Sequence, residues 1–300
     1  MGTSRTNDGP GDRPPLLPTW ALPAGNPPPT PSEAPQDDTG GGDDADSGDD
    51  AAERGEGDAP SAVGGQPAQP AAQQPTWRAA RRQMNSWARG GGGRQGISQA
   101  GRAYVRAKGG SRAAAGQARA GRTATSRAGN FFGALARGGL SAALDALGLR
   151  NYIGRGAEEV FAAIANVIAP PGATLEEAAA RRAADEVLGR LYDERVGADG
   201  DLGGLDRMTA EDVGAAVRDV VGSYVYQRWL EELGKSIEAG TTSPSEAVKL
   251  EREVRQYVRD IVQLEVPNDR VLTINWESSE GQALVRRLFE EAYGLLEAGE

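Results

Sequence analysis

The sequence predicts an all-α fold: a C-terminal helical bundle preceded by a long disordered N-terminal tail and a basic, marginally helical linker. Three observations predict it. Leu250, Val254, Tyr257, Ile261 and Leu264 recur at alternating spacings of four and three, the seam of a helix packed along another helix. Helix-start chemistry recurs along the second half of the chain, at Thr174, Thr209 and Ser243. Residues 5–75 are dominated by Pro, Gly, Asp, Ala and Gln, and cannot bury enough apolar surface to offset the entropy of ordering. The expected divisions are 1–75 for the tail, 76–130 for the basic segment and 131–300 for the helical domain.

Within the basic segment, Trp77 to Trp87 fits a short helix before the break at Gly90 to Gly93. The stretch from Ile97 to Arg127 is Ala-, Arg- and Gly-rich. Each glycine inside a helix costs about 1 kcal/mol, so helicity is expected to be marginal there. The helical domain is expected to begin at Phe131-Phe132, with an interruption at Gly138-Gly139. Ala157 to Ile168 carries Val160, Phe161, Ile164, Val167 and Ile168 on one face, and Pro170-Pro171-Gly172 ends it.

Thr174 and Glu177 form a capping-box pattern for a helix running to about Arg195, with Leu175, Ala179, Ala183, Val187, Leu188 and Leu191 expected inside. Residues 197–204 read as an Asp/Gly connector that lacks the ligand spacing of a calcium loop. Thr209 opens a long helix to about Ala239. Ser243-Pro244-Ser245-Glu246 opens another, combining a cap with Pro at the first helical position. Val271 to Trp276 fits either a short strand or an extended link. A last helix runs from about Ser279 to Glu297, with Leu284, Leu288, Tyr293 and Leu296 inward.

Charge is distributed in three blocks that the overall net of −10 conceals. Residues 1–75 hold three basic and thirteen acidic side chains, residues 76–144 thirteen basic and no acidic ones, and residues 145–300 seventeen basic and thirty acidic ones. The chain has no Cys and no His. That removes disulfides, the common zinc ligands, the Ser-His-Asp triad and the usual general base at neutral pH. No phosphate-loop motif is present either. The chain is expected to be no enzyme, to need no cofactor or metal, and, lacking a signal segment or a long apolar run, to be cytoplasmic and free of the membrane.

Two features suggest function. The first is the head, Met1-Gly2-Thr3-Ser4, followed by Gly9-Pro10 and Pro15-Leu16-Leu17-Pro18-Thr19-Trp20. Small Gly2 favours removal of Met1, which would expose an unhindered amine with a pKa of about 7.7–8.0. Leu16, Leu17, Pro18 and Trp20 form an apolar cluster spaced by prolines, a pattern that another protein's surface grips. The same start also fits the acylation pattern M-G-x-x-x-[ST].

The second is the basic block, where Arg78, Arg81, Arg82, Arg89, Arg102, Arg106, Arg112, Arg119 and Arg122 offer a cationic surface. Such a surface suits nucleic-acid phosphates, an acidic partner protein or the chain's own acidic tail. Its aromatic residues are too few for a base-stacking platform. The carboxylate pairs Glu158-Glu159, Glu176-Glu177 and Glu231-Glu232 read as solvated helix surface.

The head, the Arg/Gly/Ala-rich middle and the segment from Ala157-Glu158-Glu159-Val160-Phe161 to Ala169-Pro170-Pro171-Gly172, followed by Leu175-Glu176-Glu177-Ala178, together resemble the B component of bacterial Qat anti-phage systems. The family pattern often has Cys before Pro-Pro-Gly. Here Ala169 stands there, so no activity would need a thiol at that place. The resemblance carries over no catalytic residue. It implies a four-component defence operon with an ATPase, a QueC-like enzyme and a TatD-like nuclease as partners. A QueC-like enzyme activates a carboxylate with ATP and delivers ammonia to it, so the resemblance makes the Gly2 amine a candidate acceptor. Thr3, Ser4, Gly9, Pro10, Leu16, Leu17, Pro18 and Trp20 would then serve tail recognition. A nucleic-acid-binding adaptor and a purely structural subunit of the ATPase complex are the alternatives.

Overall fold

The computed structural model describes residues 77–90, 92–197, 199–267 and 270–299. Among these residues the chain forms nine α-helices and no strand: α1 (Trp77–Arg89), α2 (Arg94–Ala107), α3 (Ser111–Gln117), α4 (Arg119–Ala146), α5 (Ala157–Ile168), α6 (Leu175–Arg195), α7 (Ala210–Glu238), α8 (Pro244–Ile261) and α9 (Ser279–Ala298). No helix among them is long and apolar enough to cross a membrane.

The architecture is organised around α7, which packs against α6, α4, α8, α1 and α9. Its sequence shows why. Val213, Val217, Val220, Val221, Tyr224, Val225, Trp229 and Leu233 are all buried, and they fall on several sides of the helix. A helix that is apolar all round belongs in an interior. By contrast, α8 buries one stripe only, Leu250, Val254, Tyr257, Val258 and Ile261, as the four-three spacing predicts for a helix laid along one neighbour.

Capping fixes where the elements begin. The Thr174 hydroxyl accepts from the Glu177 amide at 3.2 Å, while the Glu177 carboxylate accepts from the Thr174 amide at 3.0 Å. Thr209 and Asp212 repeat this reciprocal arrangement at the start of α7. Two otherwise orphaned amides are satisfied at each start. The break expected at Gly138-Gly139 is a kink inside α4, with Gly139 at φ 71°. There the Leu140 amide donates to the Asp206 carboxylate at 2.8 Å, and a Cβ on Gly139 would sit 2.5 Å from the same oxygen.

Three expectations are corrected. Residues 271–276, left open between strand and extended link, form consecutive turns in which the Val271 amide donates to the Pro267 carbonyl and the Ile274 amide to that of Arg270. Leu175 is 64% exposed rather than buried, because it is the first residue of α6 and packing of that helix begins a turn later at Ala179.

The third correction concerns the basic segment. The boundary expected at 130/131 falls inside α4, and the segment before it is no separate linker. Met84, Trp87, Ile97, Tyr104 and Val105 join the same core as Phe131, Phe132, Trp229 and Leu296. The glycines that weaken these helices in isolation are the places where large rings lie against backbone. A Cβ at Gly101 would meet Trp229 at 2.8 Å, one at Gly121 would meet Tyr224 at 2.7 Å, and one at Gly129 would meet Trp276 at 2.4 Å. Tertiary packing outweighs intrinsic propensity here.

Candidate partner interface on the basic helices

Helices α1 and α2 form a hairpin closed by the glycine loop, in which the Trp87 indole donates to the Gly93 carbonyl at 3.1 Å. Apolar Ala80, Met84, Trp87 and Ala88 turn α1 inward, and Tyr104 of α2 stacks on Trp229 of α7 with ring centroids 5.6 Å apart. The far side of α1 is thereby committed to solvent. Arg78, Arg81, Arg82 and Arg89 lie three, four and eleven residues from the first of them and share that outer face.

The nine arginines singled out from the sequence fall into two groups. Arg78, Arg81, Arg82, Arg89, Arg106, Arg112 and Arg119 are exposed, and none has an ion-pair or hydrogen-bond partner for its guanidinium among the described residues. Arg102 and Arg122 are half-buried and hold the fold together: Arg102 donates to the Ala298 carbonyl at 2.7 Å, and Arg122 donates to the Ala115 carbonyl. Both cap carbonyl-rich helix C-termini, where a cation is favoured. The residues of the candidate tail motif, Gly2, Thr3, Ser4, Gly9, Pro10, Leu16, Leu17, Pro18 and Trp20, lie outside the described residues.

A groove of about 810 Å³ runs between α1, the start of α6 and the end of α7, bordered by Trp77, Arg81, Arg82, Leu175, Glu231 and Lys235. Exposed Leu175 is its apolar lip. Its lining carboxylates Glu231 and Glu232 belong to a polar network that sequence reasoning missed. Lys108 is only 6% exposed; its ammonium contacts Glu232 at 3.1 Å and lies 5.9 Å from the Trp77 ring centroid. Loss of hydration pushes the Lys108 pKa down, with Glu232 opposing that shift. Arg228 pairs with Glu231 at 2.9 Å and also with Glu232, and Arg182 reaches Glu231 at 2.7 Å.

Glu231 and Glu232 are therefore not the solvated surface expected of them. Glu176 departs as well, accepting from the Ala120 amide at 2.7 Å, and Glu177 serves the α6 cap. The one available signal was Lys108 among arginines, a lone lysine four residues after buried Tyr104. No aromatic ring other than that of Trp77 lies among the groove's bordering residues, and Trp87 and Tyr104 are spent in the core. The surface offers cations with one apolar lip, which suits an acidic protein face or a phosphate backbone more than unstacked bases.

A family model described as the Qat anti-phage system associated protein QatB matches residues 109–296. That span takes in α3 through most of α9, whereas the head and the α1–α2 hairpin precede it. No curated protein and no solved structure matches the chain. With well over half of its residues matched by that one model, the chain belongs to the QatB family and is a component of an anti-phage defence system.

Proposed function

We infer that this chain is a non-enzymatic partner-binding component whose tail presents the Gly2 amine to a QueC-like enzyme of the same operon, while the helical body holds the assembly. The chemistry is amide formation. The enzyme activates a deazaguanine carboxylate with ATP, and the glycine nitrogen attacks the activated carbonyl carbon. The C–N bond forms as the activating group leaves and the amine gives up a proton. Leu16, Leu17 and Trp20 would grip the enzyme close to the reacting end.

The observation that carries this reading is the α1 groove. The tail joins the body at Trp77, and unpaired Arg81 and Arg82 with exposed Leu175 border the same groove. A partner seated there is held beside the root of the segment it works on, which raises the effective concentration of the amine without a tight contact to the tail itself. The ATPase and the TatD-like nuclease are the further partners of this reading.

Intact-mass and peptide analysis of the protein co-expressed with its operon tests it. The expected result is a Gly2 peptide lacking Met1 and carrying an added mass. An unmodified Gly2 in cells whose phage defence works would overturn the proposal. The same seven exposed arginines favour one alternative, a nucleic-acid adaptor. That reading expects a gel shift with duplex DNA that weakens steeply with salt and is lost on replacing Arg78, Arg81, Arg82 and Arg89 together.

A further inference from the structure

A second charged site lies on the other side of α7, in a cleft of about 190 Å³ between α6, α7 and α8. We propose that this cleft binds the di- or triphosphate group of a small soluble molecule. Four arginines face it, Arg190 from α6, Arg218 from α7, and Arg255 and Arg259 from α8, against two carboxylates, Glu186 and Asp219. The lining side chains thus hold two positive charges in excess, with one further carboxylate, Glu194, 4.0 Å from Arg190 just outside the cleft. They do so inside residues 145–300, which carry thirty acidic against seventeen basic side chains. An under-neutralised cluster in an acidic body is a local arrangement, not a consequence of composition.

The hydrogen-bond geometry leaves the donors unspent. Arg255 and Arg259 both converge on one oxygen, Oε1 of Glu186, at 3.5 and 3.4 Å. A guanidinium carries five N–H donors, so most of theirs remain available. The Ser223 hydroxyl also donates to Glu186, which fixes that carboxylate against α7. Arg190 pairs with Asp219, while Arg218 has no ion-pair or hydrogen-bond partner among the described residues. Arg255 is further held with its guanidinium 4.8 Å from the Tyr226 ring centroid, so its planar fork is positioned before any ligand arrives.

Shape agrees with charge. Gly222 of α7 lines the cleft, and a Cβ there would meet nothing closer than Val262 Cγ1 at 3.9 Å, so the space beside it is open. At about 190 Å³ the cleft has room for a group larger than a single water, as a phosphoryl group is. Convergent arginine forks recognise phosphoryl oxygens in pairs.

Calorimetric titration of the full-length protein with inorganic diphosphate, and separately with ATP, tests the inference. Saturable binding of one equivalent is expected with either probe, weakening as salt is raised. Arg218→Ala should weaken it at least tenfold. Gly222→Leu, which keeps every charge and fills the cleft, should do the same, whereas Arg287→Ala on α9, an exposed arginine outside both sites, should bind within twofold of the unaltered protein. Circular dichroism checks that each variant is folded, and the Gly222 variant decides the matter should the Arg218 variant misfold. No saturable binding at millimolar diphosphate and ATP overturns the proposal, as does equal binding by the Gly222 variant or an equal loss in Arg287→Ala. Duplex DNA binding that falls with Arg218→Ala while neither small probe binds also overturns it, assigning the cleft to a nucleic-acid backbone.

Discussion

Gly101→Val separates two opposite views of the basic segment by the sign of its effect. In a free, marginally helical linker the change would help, because valine is a better helix former than glycine by a few tenths of a kcal/mol. In the folded chain the new Cβ would sit 2.8 Å from Trp229 Cη2 and 2.9 Å from Leu296 Cδ2. Neither neighbour has room to retreat: Trp229 and Leu296 are both fully buried, and the tryptophan ring is stacked on Tyr104. Overpacking of this kind costs about 1–3 kcal/mol, and the two γ-methyls place valine at the upper end. Offset by the small propensity gain, a loss of roughly 1–3 kcal/mol is expected, or about 2–10 °C in Tm for a body of this size.

Urea unfolding followed by circular dichroism measures it, and the midpoint should fall with an unchanged slope. Gly116→Val is the control. It lies in the same basic segment with nothing within 4 Å of a Cβ, so it should be neutral or slightly stabilising. A midpoint that rises for Gly101→Val as it does for Gly116→Val would refute the integration of α2 into the core.

Three further outcomes follow from named contacts. Lys108→Met leaves Glu232 with Arg228 alone and should cost about 2–3 kcal/mol, read from urea midpoints; an unchanged midpoint would show that the Lys108–Glu232 pair contributes nothing. Thr174→Ala removes half of a reciprocal cap and should cost about 1 kcal/mol by the same measurement, with no loss expected if the α6 start is held by packing instead. Asp185 is 2% exposed and 3.0 Å from Arg181, and loss of hydration pushes its carboxyl up from 3.8 to about 6 despite that partner. Because the folded-state value is the higher one, the folded chain is favoured below about pH 4 and loses stability as pH rises through about 6. Relative to Asp185→Asn, the unaltered protein should therefore lose up to about 3 kcal/mol between pH 4 and 7; a difference that stays constant across that range would contradict the assignment.

Much of the helical body was legible because its signals are local. The Thr174, Thr209 and Ser243 caps, the Pro170-Pro171-Gly172 stop and the Gly138-Gly139 break depend on a few neighbouring residues, and each marks the expected element boundary or kink. The four-three row from Leu250 to Leu264 is likewise a property of the chain itself, and all five residues are buried.

What escaped was decided by distant partners. The glycines at 101, 121 and 129 look like helix weakeners until Trp229, Tyr224 and Trp276 are seen against them. Glu231 and Glu232 look like solvent-facing charge until Lys108, more than a hundred residues earlier, is found buried beside them. More than sixty residues separate Arg190 of α6 from Arg255 and Arg259 of α8, which share one cleft. For the candidate interface, sequence supplied the arginines but could not divide them, because only packing spends Arg102 and Arg122 on helix ends and leaves the α1 row free.

The most direct test joins the two halves of the functional reading. The unaltered chain and an Arg81→Glu/Arg82→Glu variant, each co-expressed with the operon partners, are digested and the Gly2 peptide is weighed. The account expects added mass on Gly2 in the unaltered protein and several-fold less of it in the variant, whose tail is untouched but whose groove repels an acidic partner. Equal modification of the two proteins would contradict docking at the α1 groove, and an unmodified Gly2 in both, in cells that still resist phage, would contradict the presentation of that amine altogether.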